Sequence, residues 1–408
     1  WRDSRRKGRE APCPGAVEAC DFLKQMLTGE SLPKHAADYI MAGRDACLLR
    51  FSFFLRDVYG EMGEYMAEYK AELARDDTHG VVLRSEALAA KKLEPRKKLT
   101  ELISYRYQEE AQALPFTPRK YAAACDAVAL HVAKAISIKE RKSFIFSRAL
   151  QEHLQQKLFA REGALAFIYK SIRRYGIINL YVDTNDLTGF VCLDHIVFLF
   201  RNDYTDHSEG GIFGVNINEP TVLTVKEHQV LHRVAEPVNM VLRALIPGLT
   251  LEIKEYGPQT TEDGKEGARI ELLSRRGEGA GIPLRYESHG IKKIVMLLSV
   301  LIDVYKNPSA CLVADELDAG IFEYLLGELL QIIDESGAGQ VVFTSHNLRP
   351  LEMLKKESIV FTTTNPQNRY IRLTNVKGTN NLRDVYLRGI LLGGQNEELY
   401  EPTRTHEI

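Results

Sequence analysis

Ala310-Cys311-Leu312-Val313-Ala314 is apolar at every position and stops at Asp315-Glu316. A strand with one face in water alternates apolar and polar residues, whereas a strand of a parallel sheet is covered on both faces and does not. The run is therefore predicted to be a buried strand of an α/β fold. The carboxyl ends of strands are where α/β sheets bind ligands. Two adjacent carboxylates there suit phosphoryl transfer, with Asp315 holding Mg²⁺ and Glu316 polarising the attacking water. Two acids after a strand also fit a solvated turn, since such pairs are common. The neighbouring segments decide between these.

Upstream runs Tyr286-Glu287-Ser288-His289-Gly290-Ile291-Lys292-Lys293. Ser288 is a good N-cap, and Ile291, Ile294, Val295, Leu297, Leu298 and Leu301 supply the buried face of a helix. Gly290 allows backbone to approach a ligand closely, and free N–H groups at a helix start attract anions. An ordinary capped core helix would look the same. Downstream, Val341 to Phe343 reads as a second apolar strand, ending in Thr344-Ser345-His346-Asn347. A histidine at a strand end is usually structural; beside a phosphate it can donate a hydrogen bond.

In this order the three segments resemble prokaryotic ABC-type ATPases of the SMC/RecF/OLD-like group, AAA family ATPases associated with phage defence and DNA repair. "ESHGIKK" resembles the signature motif, "CLVADE" Walker B, "LDAG" the D-loop and "FTSHN" the switch region. The resemblance implies a P-loop NTPase head, a mixed sheet flanked by helices, that binds ATP and Mg²⁺ and dimerises around the nucleotide. It implies Mg²⁺ on Asp315, a catalytic base at Glu316 and a γ-phosphate sensor at His346. Ser288, Gly290 and Lys293 would serve the nucleotide, Ser288 and Gly290 contacting the one bound by the opposite subunit. Asp318 would cross the dimer interface. The implied partners are a second copy, a separate nuclease or toxin effector, and DNA.

One element of that family is missing. No G-x-x-x-x-G-K-[ST] loop, which cradles phosphates and supplies their lysine, occurs in these 408 residues. Residues 15–27 look like the helix that normally follows it, with Val17, Cys20, Leu23 and Leu27 on one stripe. Trp1 to Pro14 is basic and contains proline, with no Met start. The expectation is a chain lacking its first strand and phosphate loop. The alternative is a degenerate, non-hydrolysing ATPase-like scaffold.

Net charge is −2, so any nucleic-acid contact must come from a local patch. The six cysteines include no C-x-x-C pair, which supports neither a zinc site nor a disulfide framework and fits a reduced cytoplasm. The longest apolar run, Ile294 to Val304, contains Asp303 and is too short for a bilayer, so no membrane contact is expected.

The expected organisation is an N-terminal part of the head over 1–92, a helical insertion over 93–177, a C-terminal lobe over 178–374 and a polar tail over 375–408. In the first part, Leu49, Phe51, Phe53 and Leu55 alternate with Arg50, Ser52, Phe54 and Arg56 as in a half-buried strand, and a second strand begins near Val81. In the insertion, Pro118 to Ile138, Glu140 to Phe159 and Ala164 to Tyr175 read as helices, with Phe144, Phe146, Leu150, Leu154 and Leu158 at helical spacing. No heptad is sustained, so a compact lid is expected rather than a long arm. Lys139, Arg141, Lys142, Arg148, Lys170, Arg173 and Arg174, interleaved with Tyr169 and Tyr175, suit either a nucleic-acid surface or a solvated face diluted by Glu140, Glu152 and Glu162.

In the C-terminal lobe, Ile178–Val182 and Val191–Phe200 read as strands. Thr224 and Glu227 form a capping box for a helix ending at Pro247-Gly248. Asp263-Gly264 is the turn between strands at 249–253 and 269–273. Helix 321–333 joins the two apolar strands, and strands at 359–361 and 370–373 follow. The tail is assigned no chemistry.

Overall fold

A computed structural model of the protein describes residues 15–33, 36–40, 43–57, 62–76, 80–107, 116, 119–184, 195–201, 210–362, 370–372 and 381–392. The basic segment 1–14, the start of the strand expected from Val191, and tail residues 393–408 lie outside them. The chain divides into two compact units, Trp1–Val182 and Asp183–Ile408.

The first unit opens on α1 (Ala16–Thr28), which buries Val17, Leu23 and Leu27 as its stripe predicts, together with Phe22 and Met26; Cys20 is only half-buried. Four strands follow as a consecutive antiparallel meander: β1 (Ala46–Arg56), β2 (Glu64–Asp76), β3 (Gly80–Lys92) and β4 (Thr100–Arg106). The alternation read in β1 holds, with Leu48, Arg50, Ser52 and Phe54 turned outward. β2 falls inside the stretch 48–88 read as strand-rich, though it was not delimited there, whereas β4 lies inside the segment read as helical. Four helices come next: α2 (Arg119–Ala122), α3 (Ala127–Glu140), α4 (Arg148–Lys157) and α5 (Gly163–Arg174).

The expected helix from Glu140 to Phe159 does not form as one piece. Residues 141–147 are irregular, and Phe144, Ile145 and Phe146 are all buried there. The cause is Glu86 on β3, itself buried. Its carboxylate accepts from the Tyr69 hydroxyl at 2.6 Å, the Ser143 hydroxyl at 2.6 Å and the Phe144 backbone N–H at 2.7 Å. A backbone N–H spent on a carboxylate cannot join a helical ladder. Burial pushes the Glu86 carboxyl above its ordinary pKa, and these hydrogen bonds only partly offset it.

Tyr169 is a core residue rather than a stacking platform. It donates to the Ile145 carbonyl at 2.9 Å, and its ring lies 5.4 Å from Phe146. The basic side chains around it have local partners: Lys142 with Glu140, Arg148 with Glu152, Arg173 with Gln151, and Lys170 over the Phe159 ring.

β5 (Leu180–Asp183) ends at the boundary between the units. In the second unit β6 (His195–Arg201) and β7 (Gly210–Asn216) pair as an antiparallel hairpin. After β8 (Thr221–Thr224) comes α6 (Val225–Leu245), opened by the predicted capping box: Thr224 Oγ1 accepts from the Glu227 N–H, and the Glu227 carboxylate accepts from the Thr224 N–H at 2.8 Å. β9 (Leu249–Thr260) and β10 (Glu266–Arg276) form the predicted hairpin, with Gly264 in the left-handed region at φ +76°. β8 and β11 (Ile282–Pro283) share the other edge of β10.

α7 (His289–Lys306) is buried without interruption from Lys293 to Leu301, a stretch apolar but for Lys293 and Ser299. β12 (Cys311–Ala314), α8 (Glu323–Ser336) and β13 (Gln340–Phe343) form a parallel βαβ unit in which Cys311 pairs with Gln340 and Ala314 with Phe343. β12 is buried throughout, as its composition requires. β13 is not covered on both faces: Gln340 and Val342 are exposed.

The chain continues through α9 (Pro350–Met353), β14 (Phe361–Thr362), β15 (Tyr370–Ile371) and α10 (Leu382–Leu392). The tail is thus not wholly irregular. Leu382 packs on Leu351, with Phe361, Val385 and Tyr386 around them, and Arg383 reaches Glu352 at 2.8 Å.

Candidate functional site

β12 delivers Asp315 and Glu316 at its carboxyl end, and β13 delivers Thr344 beside them. The Thr344 hydroxyl joins the two strand ends, accepting from the Glu316 N–H at 2.7 Å and donating to Asp315 Oδ1 at 2.5 Å. Backbone bonds from Thr344 N–H to Ala314 and from Leu317 N–H to Thr344 carry the parallel register past the strands. On its other side Asp315 donates its N–H to the Asp183 carbonyl at 2.8 Å.

Glu316 adopts φ +45°, the left-handed region. For a residue with a Cβ this costs about 1–2 kcal/mol. Such conformations persist only where the surroundings over-determine them, and they cluster at functional sites. Here the surroundings are specific. Besides the N–H bond to Thr344, the Glu316 carbonyl accepts from the Ala319 N–H at 2.9 Å and from Lys293 Nζ at 2.9 Å. Glu316 Oε1 stands 3.4 Å from His346 Nε2, and both side chains are open to solvent. Asp318 accepts from the backbone N–H groups of His346 at 3.3 Å and Asn347 at 3.0 Å, so it holds the turn after β13 against the turn after β12.

Ser288 caps α7, accepting from the Ile291 N–H at 3.3 Å. Gly290 carries a demand that linear reading did not show. A Cβ at 290 would lie 2.1 Å from the carbonyl oxygen of Gly320, which is itself left-handed at φ +76°. The glycine is required inside this chain, by the close approach of the 315–320 turn to the start of α7.

Lys293 is buried, with its ammonium on Glu316. Burial drives its pKa below the ordinary lysine value, and the charges of Asp183, Asp318, Glu316 and Asp315 offset this only in part. All seven residues singled out from the sequence, Ser288, Gly290, Lys293, Asp315, Glu316, Asp318 and His346, thus belong to one connected set. Lys293, however, is turned onto the Glu316 backbone.

Linear reading assigned no role to Thr344, although a hydroxyl at a strand end beside a carboxylate was a visible signal. It also gave no role to Glu271 or, within the signature-like run, to Glu287, which fix the loop entering α7. Glu287 is buried and accepts from the Ser274 hydroxyl at 2.7 Å and Arg276 Nη2 at 2.8 Å. Burial pushes its carboxyl up, but these partners more than reverse it, and the net pKa lies below the ordinary range. Glu271 binds the Tyr256 hydroxyl at 2.7 Å and pairs with Arg285.

The Asp315 carboxylate and the Thr344 hydroxyl form an adjoining set of oxygen donors at the strand ends, the chemistry that Mg²⁺ requires. Glu316 beside them suits a base for water, and His346 a hydrogen-bond donor.

No protein-family model matches the chain, and no curated protein matches its sequence. Among solved structures it is similar to the Smc head domain with a coiled coil and joint from Pyrococcus yayanosii, at 18% identity and TM-score 0.30 over 39% of this chain and 30% of that one. It is also similar to an Smc head bound to the C-winged helix domain of ScpA, at 11% identity and TM-score 0.33 over 77% and 76%. A third is the Smc head domain with an extended coiled coil bound to the C-terminal domain of ScpA from Pyrococcus furiosus, at 12% identity and TM-score 0.30 over 82% and 81%. Likenesses this loose say nothing of ligand or partner, and the chemistry of the site rests on its own residues.

Proposed function

We propose that this chain is an ATP-hydrolysing head of the ABC type, which closes on a second copy around ATP and uses the cycle to move a partner protein or DNA. The observation that carries this reading is Glu316. It directly follows a strand-end aspartate and is held in a strained backbone conformation by Thr344 and by a buried lysine. A solvated acidic turn has no use for such bracing.

Bound MgATP would supply the electrophilic phosphorus and the leaving group. The chain's own residues then divide the work. Asp315, its Oδ1 fixed by the Thr344 hydroxyl, would hold the metal. Glu316 accepts the proton of the attacking water, and its backbone clamp aims the carboxylate without reorganisation at the moment of reaction. His346 donates to the γ-oxygens. Asp318 keeps the His346 turn in place. Ser288 and the exposed start of α7 present N–H groups to the nucleotide of the second copy.

The test is Glu316→Gln in a protein that carries this chain together with a G-x-x-x-x-G-K-[ST] loop. Loss of a general base costs about 10²–10⁴-fold in rate. The variant should bind ATP, stop hydrolysis and accumulate as an ATP-bound dimer by light scattering. Unchanged turnover rejects the assignment.

A further inference from the structure

Outside this site, α6 and β9 bring together His228, His232 and Glu255. Among the described residues no other three His, Cys, Asp or Glu donors converge this way. Glu255 Oε1 lies 3.1 Å from His228 Nε2 and 3.3 Å from His232 Nε2, and the two Nε2 atoms are 3.3 Å apart. A tetrahedral ion with bonds of about 2.0–2.1 Å to nitrogen and carboxylate oxygen has ligand-to-ligand edges of about 3.3–3.4 Å. The three donors already form one face of such a tetrahedron. We propose that they bind a divalent transition ion of the zinc class, with the fourth position open to water.

The fold explains the convergence. His228 and His232 stand one turn apart and begin the stripe that continues through Ala235, Val238 and Leu242, all buried. On β9, period two places Glu255 on the same face as Leu249, Leu251 and Ile253. Asn239 fixes the register of the two elements, exchanging hydrogen bonds with the Leu251 backbone at 2.8 and 2.6 Å. Directly after Glu255 the ladder slips, since Glu255 pairs with Ile270 and Gly257 with Arg269, leaving Tyr256 as the extra residue of a bulge. Bulges re-aim side chains next to functional sites. Two imidazoles and one carboxylate suit zinc, nickel or copper rather than Mg²⁺. A bound ion would clip α6 to the β9–β10 hairpin, whose Glu271, Ser274 and Arg276 hold the loop entering α7 through Arg285 and Glu287.

The experiment is a titration of the chelator-stripped protein with Zn²⁺ followed by calorimetry, and with Co²⁺ followed by visible absorption. One ion per chain is expected. The Co²⁺ spectrum should show the intense d–d bands of a tetrahedral site and no thiolate charge-transfer band, which separates this site from cysteine thiolates. Mg²⁺ in excess should not displace the ion. His228→Ala, His232→Gln and Glu255→Gln should each remove that binding event while circular dichroism stays unchanged. His232 is half exposed, so its variant remains informative if His228→Ala misfolds. An unchanged stoichiometry and affinity in His232→Gln, or no binding by the unaltered protein, overturns the proposal and leaves the cluster as an ion pair only.

Discussion

Gly290→Ala separates two reasons for the same glycine. If the residue is small so that a nucleotide can approach, alanine is tolerated by the folded chain and harms only binding. The structure gives a second reason, the Gly320 carbonyl. Restoring a carbon-to-oxygen contact of about 3.3 Å from 2.1 Å requires the 315–320 turn or the start of α7 to move by about 1.2 Å. Neither moves freely. The turn is tied by Glu316 to Lys293 and Thr344, and the helix start is followed by buried residues from Lys293 onward. Overpacking of this kind costs about 1–3 kcal/mol. With a urea slope of about 2 kcal/mol/M, the unfolding midpoint of the second unit falls by about 0.5–1.5 M. Far-UV circular dichroism against urea is the assay. Serine at 290 should behave like alanine, since both add the same Cβ. An unaltered midpoint for both variants refutes the packing argument, and if ATP-driven dimerisation is lost at that unaltered midpoint, the glycine serves the ligand alone.

Lys293→Met should lower hydrolysis while leaving ATP affinity nearly unchanged, because the ammonium supports the Glu316 backbone. Weakened ATP binding with normal turnover of bound ATP, measured under single-turnover conditions, would instead make it a phosphate ligand. A pH dependence follows from Glu287, whose carboxyl is held below its ordinary range in the folded chain. That stabilisation is fully present above the ordinary carboxylate pKa and is lost as pH falls through the lower folded value. Glu287→Gln should therefore flatten the acid limb of the second unit's stability curve, seen in melting temperatures at a series of pH values; an unchanged acid limb contradicts the assignment.

Legibility differed with the range of the interaction. The β12–α8–β13 unit and the residues at its strand ends could be read because each depends on a short window: an apolar run, a turn, a helix of the right length. The capping box at Thr224 and the Asp263-Gly264 turn were legible for the same reason. β2 was not delimited although Ala67, Tyr69, Ala71 and Leu73 alternate and are all buried. Its inward alanines and outward Glu68, Lys70 and Glu72 carry the composition of a helix, and cross-strand packing overrides propensity. The helix expected across 140–159 failed for a reason no window contains, since Glu86 captures the Phe144 N–H from 58 residues away. In the site itself, the pairing of Lys293 with Glu316 and of Gly290 with Gly320 spans 23 and 30 residues. The i, i+4 pair His228 and His232 was visible; that Glu255 completes it was not.

The left-handed backbone of Glu316 leaves a trace that sequence comparison can read. A side chain kept there against its conformational preference survives only while selection needs it. Under the proposed function, descendants that lose hydrolysis should drift towards glycine or asparagine at position 316, which relieve the torsion. Gly290 and Gly320 should persist together in the same descendants, because their contact belongs to the fold. Inactive lineages would thus be recognisable by a relaxed residue at 316 beside an intact glycine pair.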